Sequence, residues 1–378
     1  MNNQSAISWQ HHHPVHVSSA PGLLSRLPEF VHGKNILLLT SRGFTKRGIT
    51  DKICSQLSAF NLLVIDQVTP NPELDDIEEM ASRVAKITSI HQIVALGGGS
   101  VMDTAKVLAT IIPTLASVGK PLHSHFREHK KISLHSRLPL ITIPTTSGTG
   151  AEVTPFATIW DRTTHSKYSL SGNFMYPDLA LLDSELTLSL PISETLSGGL
   201  DALSHSLESL WNKHRTPISS AYARAAIEKI CRALPLLLHR PEEQLAREEM
   251  QQASLLAGLA ISQTRTAIAH SISYPLTSHY GVPHGIACSF TLPALIERIH
   301  RGHLLPDEEL DLLLEAQRIL RQLPLFSSLA KYISWSQIEA LQSEMFNPQR
   351  ADNFIQNLTA EDISAIITRS QQLALHNQ

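Results

Sequence analysis

The first part of the chain alternates two patterns. Four short apolar runs, Asn35-Ile-Leu-Leu-Leu-Thr40, Asn61-Leu-Leu-Val-Ile-Asp66, Gln92-Ile-Val-Ala-Leu96 and Leu138-Pro-Leu-Ile-Thr-Ile-Pro144, are bounded by polar or turn-forming residues. Runs this short and this apolar predict strands buried on both faces. Between them lie stretches of helical spacing: one from about residue 46 to 58, one through Ile77, Met80 and Val84, and one from Ser100 to Ile111. Strands alternating with helices predict a mainly parallel sheet covered by helices. Val15 and Val17 flank His16, which predicts a further half-exposed strand and accounts for the nearby His11-His12-His13 without a metal.

After Pro191 the pattern changes. Amphipathic stretches over 200–211, 219–238, 254–274 and 308–320 leave few strand-like runs, so the second part reads as all-helical. The expected division is an α/β dinucleotide-binding domain over 1–188 and a helical metal-binding and substrate domain over 189–378. A length of 378 residues is itself more than one core usually supports.

Composition narrows the class of partner. With 42% apolar residues, 17% charged residues and a formal charge of -3, the chain reads as a globular enzyme. Neither nucleic acid nor a membrane surface is expected as partner. No unbroken run of about eighteen apolar residues is present, and Met1-Asn2-Asn3-Gln4 shows no basic region followed by an apolar stretch, so no signal peptide is expected. Cys54, Cys231 and Cys288 are odd in number and form no Cys-x-x-Cys pair or metal-ligand spacing, which predicts a reducing, cytoplasmic setting.

Two kinds of chemistry then stand out. Gly97-Gly98-Gly99-Ser100 follows a buried strand and opens a helix, where backbone N–H groups and the helix dipole attract phosphate oxygens. The hydroxyl-rich Thr145-Thr146-Ser147-Gly148-Thr149-Gly150-Ala151-Glu152 follows the next strand, and either contacts a ribose or pyrophosphate or simply caps a helix. Two such loops at neighbouring strand ends favour a nucleotide, because open α/β sheets bind ligands there. Asp201 and His205, four residues apart on one helical face, join His270 and His284 as candidate ligands for a divalent metal, iron(II) or zinc.

These motifs together resemble the iron-containing (group III) alcohol dehydrogenase family. They are Gly97-Gly-Gly-Ser-Val-Met-Asp103-Thr-Ala-Lys106, Pro144-Thr-Thr-Ser-Gly-Thr-Gly-Ala-Glu152, Gly199-Leu-Asp201-Ala-Leu-Ser-His205 and His270 with Pro283-His284-Gly285. The resemblance implies the dehydroquinate synthase-like architecture of that family, with an N-terminal dinucleotide-binding domain and an all-α C-terminal domain. It implies that Asp201, His205, His270 and His284 bind the catalytic metal, iron(II) first and zinc second. It also implies that Gly98, Gly99, Ser100, Asp103, Thr145 and Thr146 line NAD(P)H, with Gly97, Thr149 and Ser41 beside them and Lys167 near the ribose. A homodimer is expected on the same ground.

The chain departs from the family pattern at two places. Tyr274 stands where many members carry a second histidine four residues after the third ligand, and it offers a phenol or packs the pocket wall. Arg265, five residues before His270, suits an anionic substrate tail, against the alternative of an ordinary surface arginine. The stretch from Thr264 to Thr277 is similar to the phosphonate-metabolism branch, whose members reduce phosphonoacetaldehyde to 2-hydroxyethylphosphonate. The expected reaction is hydride transfer between nicotinamide and a small, anionic aldehyde. A general short-chain alcohol dehydrogenase and a lyase of the dehydroquinate synthase type are the alternatives, and the form Asp201-Ala-Leu-Ser-His205 disfavours the lyase. The loop Thr40-Ser41-Arg42-Gly43 lacks the aspartate that would repel a 2′-phosphate, so NADPH is expected to be accepted.

Overall fold

The computed structural model describes residues 8–131, 137–164 and 166–376; the opening Met1-Asn2-Asn3-Gln4 lies outside them. The chain forms two compact units. One comprises Pro14–Pro191 with Pro241–Gln251, and the other Ile192–Arg240, Gln252–Gln378 and the N-terminal residues through His13.

The first unit contains β1 (His16–Ser19), β2 (Asn35–Leu39), β3 (Asn61–Ile65), β4 (Gln92–Gly97), β5 (Leu140–Pro144), β6 (Phe156–Asp161), β7 (Ser166–Ser171) and β8 (Leu179–Leu182). Six of these form one sheet in the order β1-β8-β5-β4-β2-β3, and every neighbouring pair is parallel. The four apolar runs became β2 to β5, and the segment around His16 became β1. The side chains alternate between two cores, as the pleat requires. Leu37, Leu39, Ile93 and Ala95 pack on one face with the helices Leu74–Ile87 and Gly99–Ile111. Ile36, Leu38, Val94, Leu96, Ile141 and Ile143 pack on the other with Phe44, Ile53 and Leu57.

β6 and β7 form a separate antiparallel hairpin that the sequence reading left unassigned. The stretch expected as a helix over 46–58 is the helix Ile49–Gln56, and an additional short helix, Arg42–Lys46, precedes it, the two parted where Gly48 turns left-handed at φ 74°. Among the described residues, Gly99–Val118 alone is long and apolar enough to match a membrane span, and most of it is buried as a core helix of this unit.

The strand order places β3 on one side of β2 and β4 on the other. The chain therefore changes direction across the sheet between β2 and β4. Such a switch point splays apart the loops leaving the carboxyl ends of its two strands, where open α/β sheets bind ligands. The loop after β4 is the Gly97–Gly99 turn, and the loop after β2 is Thr40-Ser41-Arg42.

The second unit is helical. Its longer members are Ile192–Leu210, Pro217–His239, Ile268–Tyr280, Leu292–Arg301, Asp307–Gln322 and Ala360–His376, with the later turns of Gln244–Thr264. Pro217 occupies the first turn of its helix and Thr216 closes a capping box with Ser219, which fixes that start. The stretch expected as one helix over 254–274 breaks at Arg265, whose backbone is left-handed at φ 62°, before a new helix begins at Ile268. That break sets the direction in which His270 enters the unit.

Candidate metal centre and phosphate loop

The helical unit gathers the four expected ligands. Asp201 and His205 share one face of the Ile192–Leu210 helix, and both are buried. His270 lies in the first turn of the Ile268–Tyr280 helix, and His284 opens the short His284–Ser289 helix. The last helix comes close because residue 285 is glycine. A Cβ there would lie 1.8 Å from the Ser197 carbonyl oxygen and 3.0 Å from the Asp201 amide nitrogen. Backbone thus packs on backbone, and His284 is delivered beside Asp201.

One oxygen, Asp201 Oδ1, lies 3.6 Å from His205 Nε2, 3.6 Å from His270 Nε2 and 3.9 Å from His284 Nε2. These separations exceed a hydrogen bond. They suit co-ligands, since two donors each about 2.1 Å from a tetrahedral metal stand about 3.4 Å apart. Asp201 Oδ1 and His270 Nε2 are also buried without a hydrogen-bond partner. A buried, unpartnered carboxylate oxygen is costly unless a cation meets it. The residues therefore fit a divalent metal. Burial alone would raise the Asp201 carboxyl, but the His205, His270 and His284 rings hold it well below its ordinary range.

Behind the ligands sits Glu208, a residue the sequence reading missed. It is fully buried, and its Oε2 accepts from His270 Nδ1 at 2.7 Å. The same carboxylate accepts the amides of Ala267 at 2.8 Å and Ala269 at 2.6 Å, which cap the start of the His270 helix. With the Nδ1 proton held there, Nε2 presents its lone pair to the centre. Burial would raise the Glu208 carboxyl, but the His270 ring and the two amides hold it below its ordinary value.

Cys288 corrects another expectation. Its sequence context shows no metal-ligand spacing among cysteines, yet it stands four residues after His284, and its Sγ lies 3.5 Å from His284 Nε2. Ligand atoms of Asp201, His270, His284 and Cys288 all fall within 4.8 Å of one another.

The two departures from the family pattern separate. Tyr274 is half-buried one helical turn beyond His270, and the Arg350 guanidinium lies 5.8 Å from its ring centre. Arg350 also donates to Thr266 Oγ1. Arg265 is exposed at the helix break, with its carbonyl accepting from Asn212. The guanidinium at Tyr274 thus belongs to Arg350, which sequence spacing does not connect to that helix.

In the sheet unit, the register pairs Gly97 with Pro144, so the two candidate phosphate loops leave β4 and β5 side by side. The Thr145 amide donates to the Gly97 carbonyl at 3.0 Å. A Cβ on Gly98 would lie 3.2 Å from Thr146 Oγ1, and one on Gly99 would lie 2.8 Å from the Thr149 methyl. Gly98, Gly99, Ser100, Thr146 and Thr149 are half-buried, which leaves part of the loop surface accessible at the start of the Gly99–Ile111 helix. The geometry suits a pyrophosphate. Ser41 stands two residues beyond β2, at the N-cap position of Arg42–Lys46 but with no side-chain cap.

Asp103 and Lys167 have partners of their own. Asp103 Oδ2 accepts the Thr158 amide at 2.9 Å, and Lys167 Nζ lies 5.2 Å from the Trp160 ring. Lys106, beneath them, donates to the carbonyls of Thr154 and Phe156, each at 2.9 Å, and to Thr154 Oγ1 at 3.0 Å. Burial pushes Lys106 down to about 8 and the neighbouring Glu152 up to about 7. Asp103 and Lys106 thus tie the loop helix to the β6–β7 hairpin.

Comparison with known proteins agrees with both halves. The profile described as "Iron-containing alcohol dehydrogenase" matches residues 14–184, and "Fe-containing alcohol dehydrogenase family, C-terminal" matches 195–323. Alcohol dehydrogenase 4 of Schizosaccharomyces pombe is 32% identical over 269 residues, 71% of this chain and 62% of that protein. Phosphonoacetaldehyde reductase of Streptomyces viridochromogenes is 33% identical over 263 residues, 68% of this chain and 65% of that protein. The matches thus span about two thirds or less of these curated relatives. The crystal structure of sulfoacetaldehyde reductase from Bifidobacterium kashiwanohense in complex with NAD+ superposes with a TM-score of 0.82 at 27% identity. That match covers 97% of this chain and 99% of the other.

Proposed function

The chain belongs to the iron-containing alcohol dehydrogenase family, and from that premise we propose that it reduces a two-carbon aldehyde bearing an anionic group, phosphonoacetaldehyde first, at the expense of NADPH. The observation that carries the hydride-transfer reading is the buried donor cluster around the unpartnered Asp201 Oδ1. Asp201, His205, His270 and His284 would hold the metal, which when bound supplies Lewis acidity toward a carbonyl oxygen. The glycine loop with Thr145, Thr146 and Thr149 would hold the phosphates of the nicotinamide cofactor, whose ring supplies the hydride.

The remaining work falls to the protein. Glu208 keeps the His270 Nδ1 proton and leaves Nε2 as the donor atom. Gly285 lets His284 approach Asp201. The buried Lys106 ammonium holds the loop helix against the hairpin through its three acceptors.

The anionic substrate is supported by two relatives that act on aldehydes of that type, the phosphonoacetaldehyde and sulfoacetaldehyde reductases. Of the two candidate guanidiniums, Arg350 suits the tail better than Arg265, because it lies over Tyr274 on the helix that carries His270. The NADPH preference is supported by Ser41 and the exposed Arg42 at the end of β2, with no carboxylate between Thr40 and Gly43. A reducing cytoplasm and a homodimer complete the proposal, the first suited to three free thiols.

The test is a panel of phosphonoacetaldehyde, sulfoacetaldehyde and neutral aldehydes, run with NADPH and NADH on metal-reconstituted protein. A higher kcat/KM for the anionic aldehydes supports the reading. A preference for neutral aldehydes returns the chain to general short-chain alcohol chemistry, and a marked NADH preference removes the cofactor assignment.

A further inference from the structure

We propose that the Cys288 thiolate is itself a ligand of the metal centre, so that this site offers a sulfur donor beside its carboxylate and imidazoles. The argument starts from position. Cys288 follows His284 by four residues on the same short helix, so the two side chains rise from one face, as Asp201 and His205 do on theirs. Its Sγ lies 3.5 Å from His284 Nε2 and 3.7 Å from His284 Nδ1, and within 4.8 Å of the donor atoms of Asp201 and His270.

The spacing fits coordination. A metal bonded at about 2.3 Å to sulfur and about 2.1 Å to nitrogen, at a tetrahedral angle, holds those atoms about 3.6 Å apart. The 3.5 Å from Cys288 Sγ to His284 Nε2 matches in length, but Sγ also lies 3.7 Å from Nδ1, so the partly exposed His284 ring has to turn for both atoms to meet one metal. The second support is independent of the thiol. Asp201 Oδ1 and His270 Nε2, both on side chains more than nine-tenths buried, lack any hydrogen-bond partner and face the same centre. With Asp201, His205, His270 and His284, Cys288 would bring the donors around this centre to five, a number that zinc also accepts.

The consequence is chemical. An Asp/His set with one thiolate is softer than one with imidazole and carboxylate alone, and it favours zinc or cobalt(II) over iron(II). Coordination takes the thiolate, so metal binding releases the thiol proton to solvent. A thiophilic metal held there would have the Cys288 sulfur in a coordination position that a further oxygen ligand would otherwise take. This inference rests on the donor cluster and not on the identity of the aldehyde.

The experiment uses the full chain loaded with cobalt(II). The visible ligand-field bands report that the metal is bound, whatever its ligands, and a near-ultraviolet sulfur-to-cobalt charge-transfer band reports a thiolate ligand. The wild-type protein is expected to show both. Cys288→Ser and Cys288→Ala are expected to keep the visible bands and lose the charge-transfer band, and to weaken zinc binding at least about tenfold relative to iron(II). Visible bands without charge transfer in the wild type would overturn the proposal, as would a charge-transfer band that survives in both variants. If neither variant folds, X-ray absorption on zinc-loaded wild type decides: a sulfur scatterer at about 2.3 Å is expected, and a shell of nitrogen and oxygen alone overturns it.

Discussion

Glu208 Oε2 and His270 Nδ1 stand 2.7 Å apart in a region where both side chains are buried. The contact joins two helices and fixes which nitrogen of His270 faces the ligand cluster. Glu208→Gln keeps the shape but replaces one carboxylate oxygen with an amide that can only donate. The ring then loses its tautomer lock or the helix start loses a cap. Metal affinity is expected to fall about 10- to 100-fold with the fold retained, measured by competition with a chromogenic chelator and checked by circular dichroism. Unchanged affinity would show that the carboxylate serves only the helix start.

Gly285 gives the sharpest steric test. Its missing Cβ would occupy a point 1.8 Å from the Ser197 carbonyl oxygen, and backbone atoms of a long helix cannot yield as a side-chain end does. Gly285→Ala should push the His284 helix away from Asp201 and cost about 3 kcal/mol or more. A thermal melt with and without metal reads both effects: a lower transition, and a smaller metal-induced rise. A variant that melts like the wild type would contradict the observed helix contact.

The βα alternation was legible because buried parallel strands are written as unbroken apolar runs. The metal ligands were legible as spaced donors. What escaped was information carried between segments. Arg265 ends a helix through its backbone conformation with no glycine or proline nearby to announce it. Glu208 extends the Asp201 and His205 stripe by one more turn, a carboxylate on an otherwise buried face that deserved reading as a ligand's partner. Cys288 carried the same four-residue spacing from His284 that marked Asp201 and His205, but a search for paired cysteines passes over it. Arg350 reaches Tyr274 from the short helix Pro348–Ala351, distant in the chain.

Arg350 and Arg265 make opposite predictions for an anionic aldehyde. A charged hydrogen bond to the substrate tail is worth about 1.5–3 kcal/mol, so Arg350→Ala should lower kcat/KM for phosphonoacetaldehyde about 10- to 100-fold. A neutral aldehyde of similar length should change far less. Arg265→Ala, at an exposed helix break, should leave both within a small factor. Steady-state kinetics of the two variants on the two aldehydes separates the cases, and the reverse pattern would assign the tail to Arg265.

The buried pair under the phosphate loop predicts a pH dependence of stability. Burial raises the Glu152 carboxyl to about 7 in the folded protein, above its unfolded value. Between those values the folded state keeps a proton that the unfolded chain has released. Glu152 therefore contributes stability in full below the unfolded value, and the contribution is lost as pH rises through about 7. The largest loss this shift allows is about 3 kcal/mol, with the opposing pull of the Lys106 ammonium already contained in it. Lys106, lowered to about 8, acts in a higher window with the other sign: above that pH the folded state sheds its buried charge before the unfolded chain does, and stability recovers. Urea midpoints from pH 5 to 7 should therefore fall more steeply for the wild type than for Glu152→Gln, whose amide does not titrate. Parallel pH profiles for the two proteins would mean that Glu152 is already ionised throughout that window, held so by Lys106.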